Sequence, residues 1–581
     1  MRQYVGPRCI PDVTGQLHDI TQSYENLIVV DNGMGTSYIS RKPVPPGIPL
    51  TNTEYWGLFG ATNGAIINLQ NQIGDLNSLN TTDKDSLVDA INETVSEIST
   101  LTNRVYFDVP ENYGAVGDGV ADDTDALQDC FTNSTKNIFL LRNKYKVSGK
   151  IDLPSDITII GTNDTEIIDA WYGTSMGDNQ YDAIFDGRNV KNITIDNITF
   201  KGIAIGAVQS SSMNWRCDIC FRNSSGINIK NCKFIACDQY TQIALRACEN
   251  CVISNNQFEW YRYQGIVLFS SHDCVVNENT FSDCGCDYIN TYAICFTYVD
   301  VSNLCYNMKC LNNIIKYPNR TANWESIDAH GLLYSEVAGN IITDCNDGIA
   351  LLTEYTRGFQ CQYLDIHDNY IRGGAYNGKT NYGIISGGYN INIYNNTVNN
   401  CGLNTAAITL ISLIRECTIK NNHIVSARDK AIMLRRDSSW NQYIQNLIIE
   451  NNDVSIVPSS GTEGVFIHCY DTTDPSFYGC SYCKNNVITT GNLSKLDITL
   501  PTAMASASAF LEFDNNNYGG LVPSYNTFLN CSPDLIHTAD IANVGNRGPI
   551  GHVVKVVNFT NTSGSVYELR KTDSNIIPIA I

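Results

Sequence analysis

From about Asp196 to Asn486 the chain repeats one short pattern of apolar and polar positions. A few alternating β-formers lead into Asn-Asn or a near equivalent, and two or three more β-formers follow. Cys417-Thr-Ile-Lys-Asn-Asn-His-Ile424 and Leu364-Asp-Ile-His-Asp-Asn-Tyr-Ile371 are typical. About eleven such segments occur, roughly 22 to 35 residues apart. Self-similarity at this period marks a solenoid. Alternation of Ile, Val and Phe gives strands with one buried face. Asn tolerates the left-handed backbone that a tight corner needs. Stacked Asn side chains also bond to one another along the axis. The pattern predicts an all-β chain wound as a parallel β-helix, each coil covering its neighbour's open edge.

A second periodic element lies between the Asn corners: a small residue, then Ile, one residue more, then often Leu. Gly265-Ile266, Ala293-Ile294, Ser326-Ile327, Gly348-Ile349, Gly383-Ile384 and Ala431-Ile432 carry it. Setting each Ile at one level aligns the coils in columns. Two places before the Ile stand Gln264, Tyr292, Glu325, Asp347 and Tyr382. One place after it stand Val267, Cys295, Asp328, Ala350 and Ile385, and three places after it Phe269, Thr297, His330, Leu352 and Gly387. Strand alternation predicts that the positions one and three after the Ile face outward. The position two before shares the inward parity of the Ile unless a corner intervenes.

Outside the repeat the pattern changes. Residues 1–60 combine short β-runs, a Gly turn, prolines and the Tyr55-Trp56 pair, and predict a small β module. This stretch resembles a module near the N-termini of proteins from tailed phages of Gram-positive hosts, itself similar to chitin-binding-type modules. The resemblance implies virion attachment or sugar binding, with Trp56 either stacking on sugar or filling a tiny core. Over residues 61–105, Ile66, Leu69, Ile73 and Leu76, then Val88, Ile91, Val95 and Ile98, keep a 3-4 spacing. β-Branched residues on that seam predict a short coiled coil of more than two strands, here a homotrimer.

Residues 113–127 hold a Gly-rich turn followed by Asp and Thr caps that open an amphipathic helix, a plug for a solenoid end. This stretch resembles the opening motif of the pectate-lyase-like β-helix superfamily, frequent in phage tailspikes. The resemblance implies a right-handed β-helix over residues 106–500. Beyond Thr499 the Asn rhythm stops, and residues 501–581 predict a small β-rich region.

Composition narrows the partners. Only 17% of the 581 residues are charged and the formal net charge is −21, which disfavours nucleic acid and anionic membrane. Neutral polymers suit such a surface, and acidic ones need local basic spots. The N-terminal segment Met1–Ile10 has no apolar core of a secretory signal, so the chain is expected to be made in a host cytoplasm. The 22 Cys are then mostly free thiols, standing where Val or Ile would serve. The CxxC pairs lack nearby His partners, so no metal and no cofactor is expected.

Ionisable residues gather in two neighbouring coils. Trp324-Glu-Ser-Ile-Asp-Ala-His-Gly331 is the densest such stretch, and the next coil adds Asp347, Glu354, Tyr355 and Arg357. Glu325 and Asp347 should stack at about 4.8 Å. Like charges that close raise one pKa and leave an acid beside a carboxylate, as glycosidic cleavage requires. Asp328 is the alternative second group. His330 orients a carboxylate or takes a proton, and Trp324, Glu354, Tyr355, Arg357, Tyr298 and Asp300 are candidates for glycan contacts. The octapeptide resembles a Glu-x-Ile-Asp-x-His-Gly stretch of phage β-helix proteins. Polygalacturonase-type hydrolases share the fold, but their Arg-x-Lys signature is not evident here. The expectation is a trimeric phage tailspike located in the virion tail. Its N-terminus would bind phage tail or baseplate proteins, and it would bind and cleave a bacterial surface polysaccharide as a glycoside hydrolase. A polysaccharide lyase and a non-catalytic adhesin are the alternatives.

Overall fold

The computed structural model describes residues 17–25, 28–32 and 37–58. It describes most of 107–499, apart from residues 172–181, 203–215, 236–240, 285–290, 317–324, 354–356, 375–381, 436–443, 470–476 and a few single positions, and short stretches beyond. The chain divides into two units, Met1–Tyr106 and Phe107–Ile581. In the first, Val29–Asp31, Ser37–Ser40 and Trp56–Leu58 form an antiparallel sheet. Trp56 is buried there, edge-on to Tyr24 and His18. The coiled coil expected at 61–105 lies outside the described residues, save for helical backbone at Ile91, Asn92 and Val95.

The second unit is built on a right-handed parallel β-helix, whose winding the repeat predicts and whose hand the resemblance at residues 113–127 implies. The helix Thr124–Asn133 buries Leu127, Cys130 and Phe131 against its first coils. Asp123 accepts from the Val116 amide at 2.6 Å and ties the Gly-rich turn to the helix start. A typical coil then lays down three strands, for example Glu325–His330, Leu332–Ala338 and Ile341–Cys345, followed one coil on by Asp347–Leu352, Cys361–His367 and Tyr370–Gly373. All pair in parallel with their counterparts in adjacent coils. No described helix is long and apolar enough to cross a membrane.

The Asn-Asn dipeptide does two separate jobs. Its first residue turns the corner at positive φ, as at Asn395, Asn421 and Asn451 (φ 53 to 55°). Its second is buried and joins a ladder. Asn369 donates from backbone and side chain to Asn396 Oδ1, and Asn396 does the same to Asn422 Oδ1. The ladder begins at Asn256 and reaches Asn516. Beside it Phe200, Phe234, Phe258 and Phe281 stack face to face, with centroids 5.1, 4.8 and 4.5 Å apart. Buried cysteines fill strand positions as free thiols.

The Ile column is continuous through Ile266, Ile294, Ile327, Ile349, Ile384 and Ile408. The residue before each Ile also faces the core: Ala293 and Ala431 lie in the main apolar cluster. Two consecutive inward residues mean that a corner intervenes; the first is small from Gly265 to Ala431, whereas an earlier coil places Ile184 there. A Cβ on Gly348 would meet the Gly383 carbonyl and stand 2.7 Å from Ile371 Cγ2. Gly348→Ala is therefore expected to lower stability by roughly 1–3 kcal/mol in denaturant unfolding, through overpacking next to the candidate site.

Candidate functional site

The corner decides where the chemistry sits. Because two residues in a row turn inward, the position two before the Ile emerges on the same outer side as the position one after it. Tyr292 and Cys295 accordingly pack together in a second apolar cluster with Cys217, Cys220, Ala244 and Val267. In the next two coils these columns turn acidic. Glu325 and Asp347 are register partners in adjacent strands, and Asp328 follows Cys295. Glu325, Asp328 and Asp347 thus form one cluster on the outer wall.

This corrects the expected exposure. Asp328 was predicted to stand open on the outer face. It faces outward from the core but is 1% exposed, and Asp347 is 4% exposed. The outer wall here is a buried seam rather than a bare sheet face. Asp328 Oδ2 accepts from the Cys295 thiol at 3.2 Å and lies 3.5 Å from His330 Nε2. Asp347 Oδ1 accepts from the Tyr382 amide at 2.9 Å. Glu325 is partly accessible, and the His330 side chain is 28% exposed. Glu325 Oε2 and Asp328 Oδ1 have no hydrogen-bond partner among the described residues.

Electrostatics follow from this crowding. Burial first, then the charges of Asp328 and Asp347, push the Glu325 carboxyl well above the usual carboxylate range. Burial also raises Asp328, against the opposing pull of His330 and the Cys295 thiol. Each carboxyl therefore keeps its proton to higher pH in the fold than it would when unfolded. Below the ordinary carboxylate range this makes no difference. As pH rises from there towards the raised folded values, the native state binds more protons than the unfolded one, and stability falls. Glu325→Gln removes one such group. It is expected to flatten the loss of melting temperature between acid and neutral pH, leaving the variant more stable than the parent at pH 7. An unchanged or steeper slope would show that Glu325 ionises freely.

His330 is packed as well as paired. Its Nδ1 lies 3.4 Å from Thr297 Oγ1, and its ring stacks on Phe359 at 5.5 Å. Tyr298 meets the same Phe359 ring at 5.5 Å, so Tyr298 joins the site through a residue that sequence reasoning missed. Arg357 is exposed in the turn just before Phe359. Asp300 is exposed and accepts from the Ser302 amide and hydroxyl, which holds its own turn. Trp324, Glu354 and Tyr355 lie outside the described residues. Among the described residues no three His, Cys, Asp or Glu converge as metal ligands.

A family model described as right handed beta helix region matches residues 182–354. No curated protein matches the chain. Among solved structures, the chain is similar to the catalytic unit of a GH87 α-1,3-glucanase from Streptomyces thermodiastaticus. That match has 12% identity and a TM-score of 0.46, over 74% of this chain and 70% of that one. It is similar to the Dettilon tailspike protein at 14% identity and TM-score 0.41, over 87% and 82%. It is also similar to PfbA, a surface adhesin of Streptococcus pneumoniae, at 13% identity and TM-score 0.41, over 81% and 98%.

Proposed function

We propose that this β-helix protein is a trimeric phage tailspike that binds a bacterial surface polysaccharide and hydrolyses its glycosidic bonds. What supports the hydrolytic reading is Glu325: a carboxyl pushed well above the usual carboxylate range by burial and two neighbouring acids, with one oxygen unpartnered among the described residues. That is the state a general acid needs. Glu325 gives its proton to the leaving glycosidic oxygen. His330, part-exposed and 3.5 Å from Asp328, takes a proton from water as the water oxygen bonds to the anomeric carbon. Asp328 orients His330, and Asp347 keeps Glu325 protonated. The tailspike assignment draws on the resemblances at residues 1–60 and 113–127, with the N-terminal unit attaching to phage tail or baseplate proteins.

A binding-only adhesin is favoured by one specific observation: two of the three clustered acids are nearly inaccessible. Incubation with capsule or wall polymer from candidate hosts separates the readings. New reducing ends without the absorbance of unsaturated uronates mean hydrolysis. Both signals together mean a lyase, and binding with neither means an adhesin.

A further inference from the structure

Besides the Asn-Asn corners, the coils turn at a second corner whose residues stand in register from coil to coil. Asn250, Asp273, Asn307, Asn390 and Asn446 hold it at φ 52 to 57°, each one place after a residue paired across the coils. In two consecutive coils the same position is tyrosine, Tyr334 at φ 50° and Tyr363 at φ 54°. Asn and Asp tolerate this left-handed backbone, whereas a bulky ring there is strained. Neither ring offsets the strain by filling the core, for Tyr334 is 58% exposed and Tyr363 37%. The same coils carry the acid cluster, with Glu325, Asp328 and His330 on one turn and Asp347 on the next.

The two rings form a short pile with one closed and one open end. Tyr334 and Tyr363 stack nearly parallel, their planes 8° apart and their centroids 4.8 Å apart. Tyr389 meets Tyr363 edge-on at 5.2 Å, and Arg415 lies over Tyr389 at 5.7 Å. On the other side Asn307, the corner before Tyr334, donates its side-chain amide to Asp273 in the coil before it. The exposed face of Tyr334 is therefore the open end, and a flat apolar group laid on it continues the pile. The C–H face of a pyranose, slightly positive, complements the negative face of the ring. Gln362 and Asn390, beside the rings, are part-exposed amides suited to sugar hydroxyls. Two rings present far less surface than the roughly 800 Å² per partner that a stable protein interface buries, so a sugar fits this patch better than a second copy of the chain.

We propose that the Tyr334–Tyr363 pile is a sugar-stacking subsite that holds an uncharged pyranose unit of the glycan beyond the acid cluster. Tyr334 follows His330 by four residues, so their backbones lie within about 14 Å, a span that a short oligosaccharide bridges. The inference rests on the glycan-binding reading and deepens it: the recognised repeat includes at least one neutral sugar with an unsubstituted C–H face.

The test is affinity electrophoresis of the full chain in native gels, with dextran, laminarin and galactomannan as probes. At least one of them should retard the parent. Tyr334→Asn suits the left-handed backbone, so it should weaken that binding roughly tenfold or more without lowering the melting temperature. Tyr334→Phe keeps the ring and should stay within about threefold of the parent. No retardation by any probe, binding that Tyr334→Asn leaves unchanged, or an equal loss in Tyr334→Phe would each overturn the subsite. A smaller oligomer on sedimentation of Tyr334→Asn would also overturn it, assigning the rings to contact between copies. Reducing-end release that persists while these binding results fail sinks the subsite alone. Tyrosine-dependent retardation without new reducing ends keeps the subsite and sinks hydrolysis.

Discussion

Glu325→Gln is expected to lower turnover by at least about two orders of magnitude while polymer binding stays within a factor of a few. Gln keeps the shape and a donor, but it cannot release a proton to the leaving oxygen. Asp347→Asn makes the complementary change. Asn can still accept from the Tyr382 amide that now bonds Asp347 Oδ1 at 2.9 Å. What it removes is the charge that, after burial and Asp328, holds the Glu325 proton in place. The alkaline limb of the rate profile, where Glu325 loses its proton, should then move to lower pH. A merely structural Asp347 would leave that limb unmoved. If Glu325→Gln retains near-parental rates of reducing-end release, Glu325 is not the acid and the cluster serves the wall alone.

The sequence showed the coils and the stacking of Glu325 on Asp347, because both follow from one period and one parity rule. It did not show the corner. Two inward residues in succession break strict alternation, and only the small residue before each Ile hints at it. That break brings Tyr292, Glu325 and Asp347 to the side of Cys295 and Asp328. Burial of Asp328 was hidden for another reason: the covering of an outer wall depends on packing between segments far apart in sequence. Phe359 was missed because it follows an irregular turn rather than a strand. The stacking of Arg188, Arg222 and Arg246 in register on three successive strands escaped notice because their coils lack the small-Ile cue. Ile184-Phe185, Asp218-Ile219 and Gln242-Ile243 stand there instead, so the small-Ile period starts three coils later, at Gly265-Ile266.

Asn395 and Asn396 are neighbours of the same type, and their replacement should have very different consequences. Asn395 is exposed at φ 55°, so Asn395→Gly places there the residue best suited to that backbone and should shift stability by less than about 1 kcal/mol. Asn396 is 1% exposed. Its side chain donates to the Ile366 carbonyl at 2.8 Å and to Asn422 Oδ1 at 3.0 Å, and accepts from the Asn369 amide at 3.1 Å and side chain at 2.9 Å. Asn396→Ala leaves the Asn369 amide and the Ile366 carbonyl buried without these partners, in a wall where every rung depends on the next. Two orphaned backbone groups at about 1–3 kcal/mol each put the expected loss at roughly 3–5 kcal/mol, read as a shift in the guanidinium midpoint. Leu in place of Ala would fill the space but restore neither bond, so it should rescue little. If Asn396→Ala and Asn395→Gly differ by less than 1 kcal/mol, the ladder is a consequence of the winding and not one of its causes.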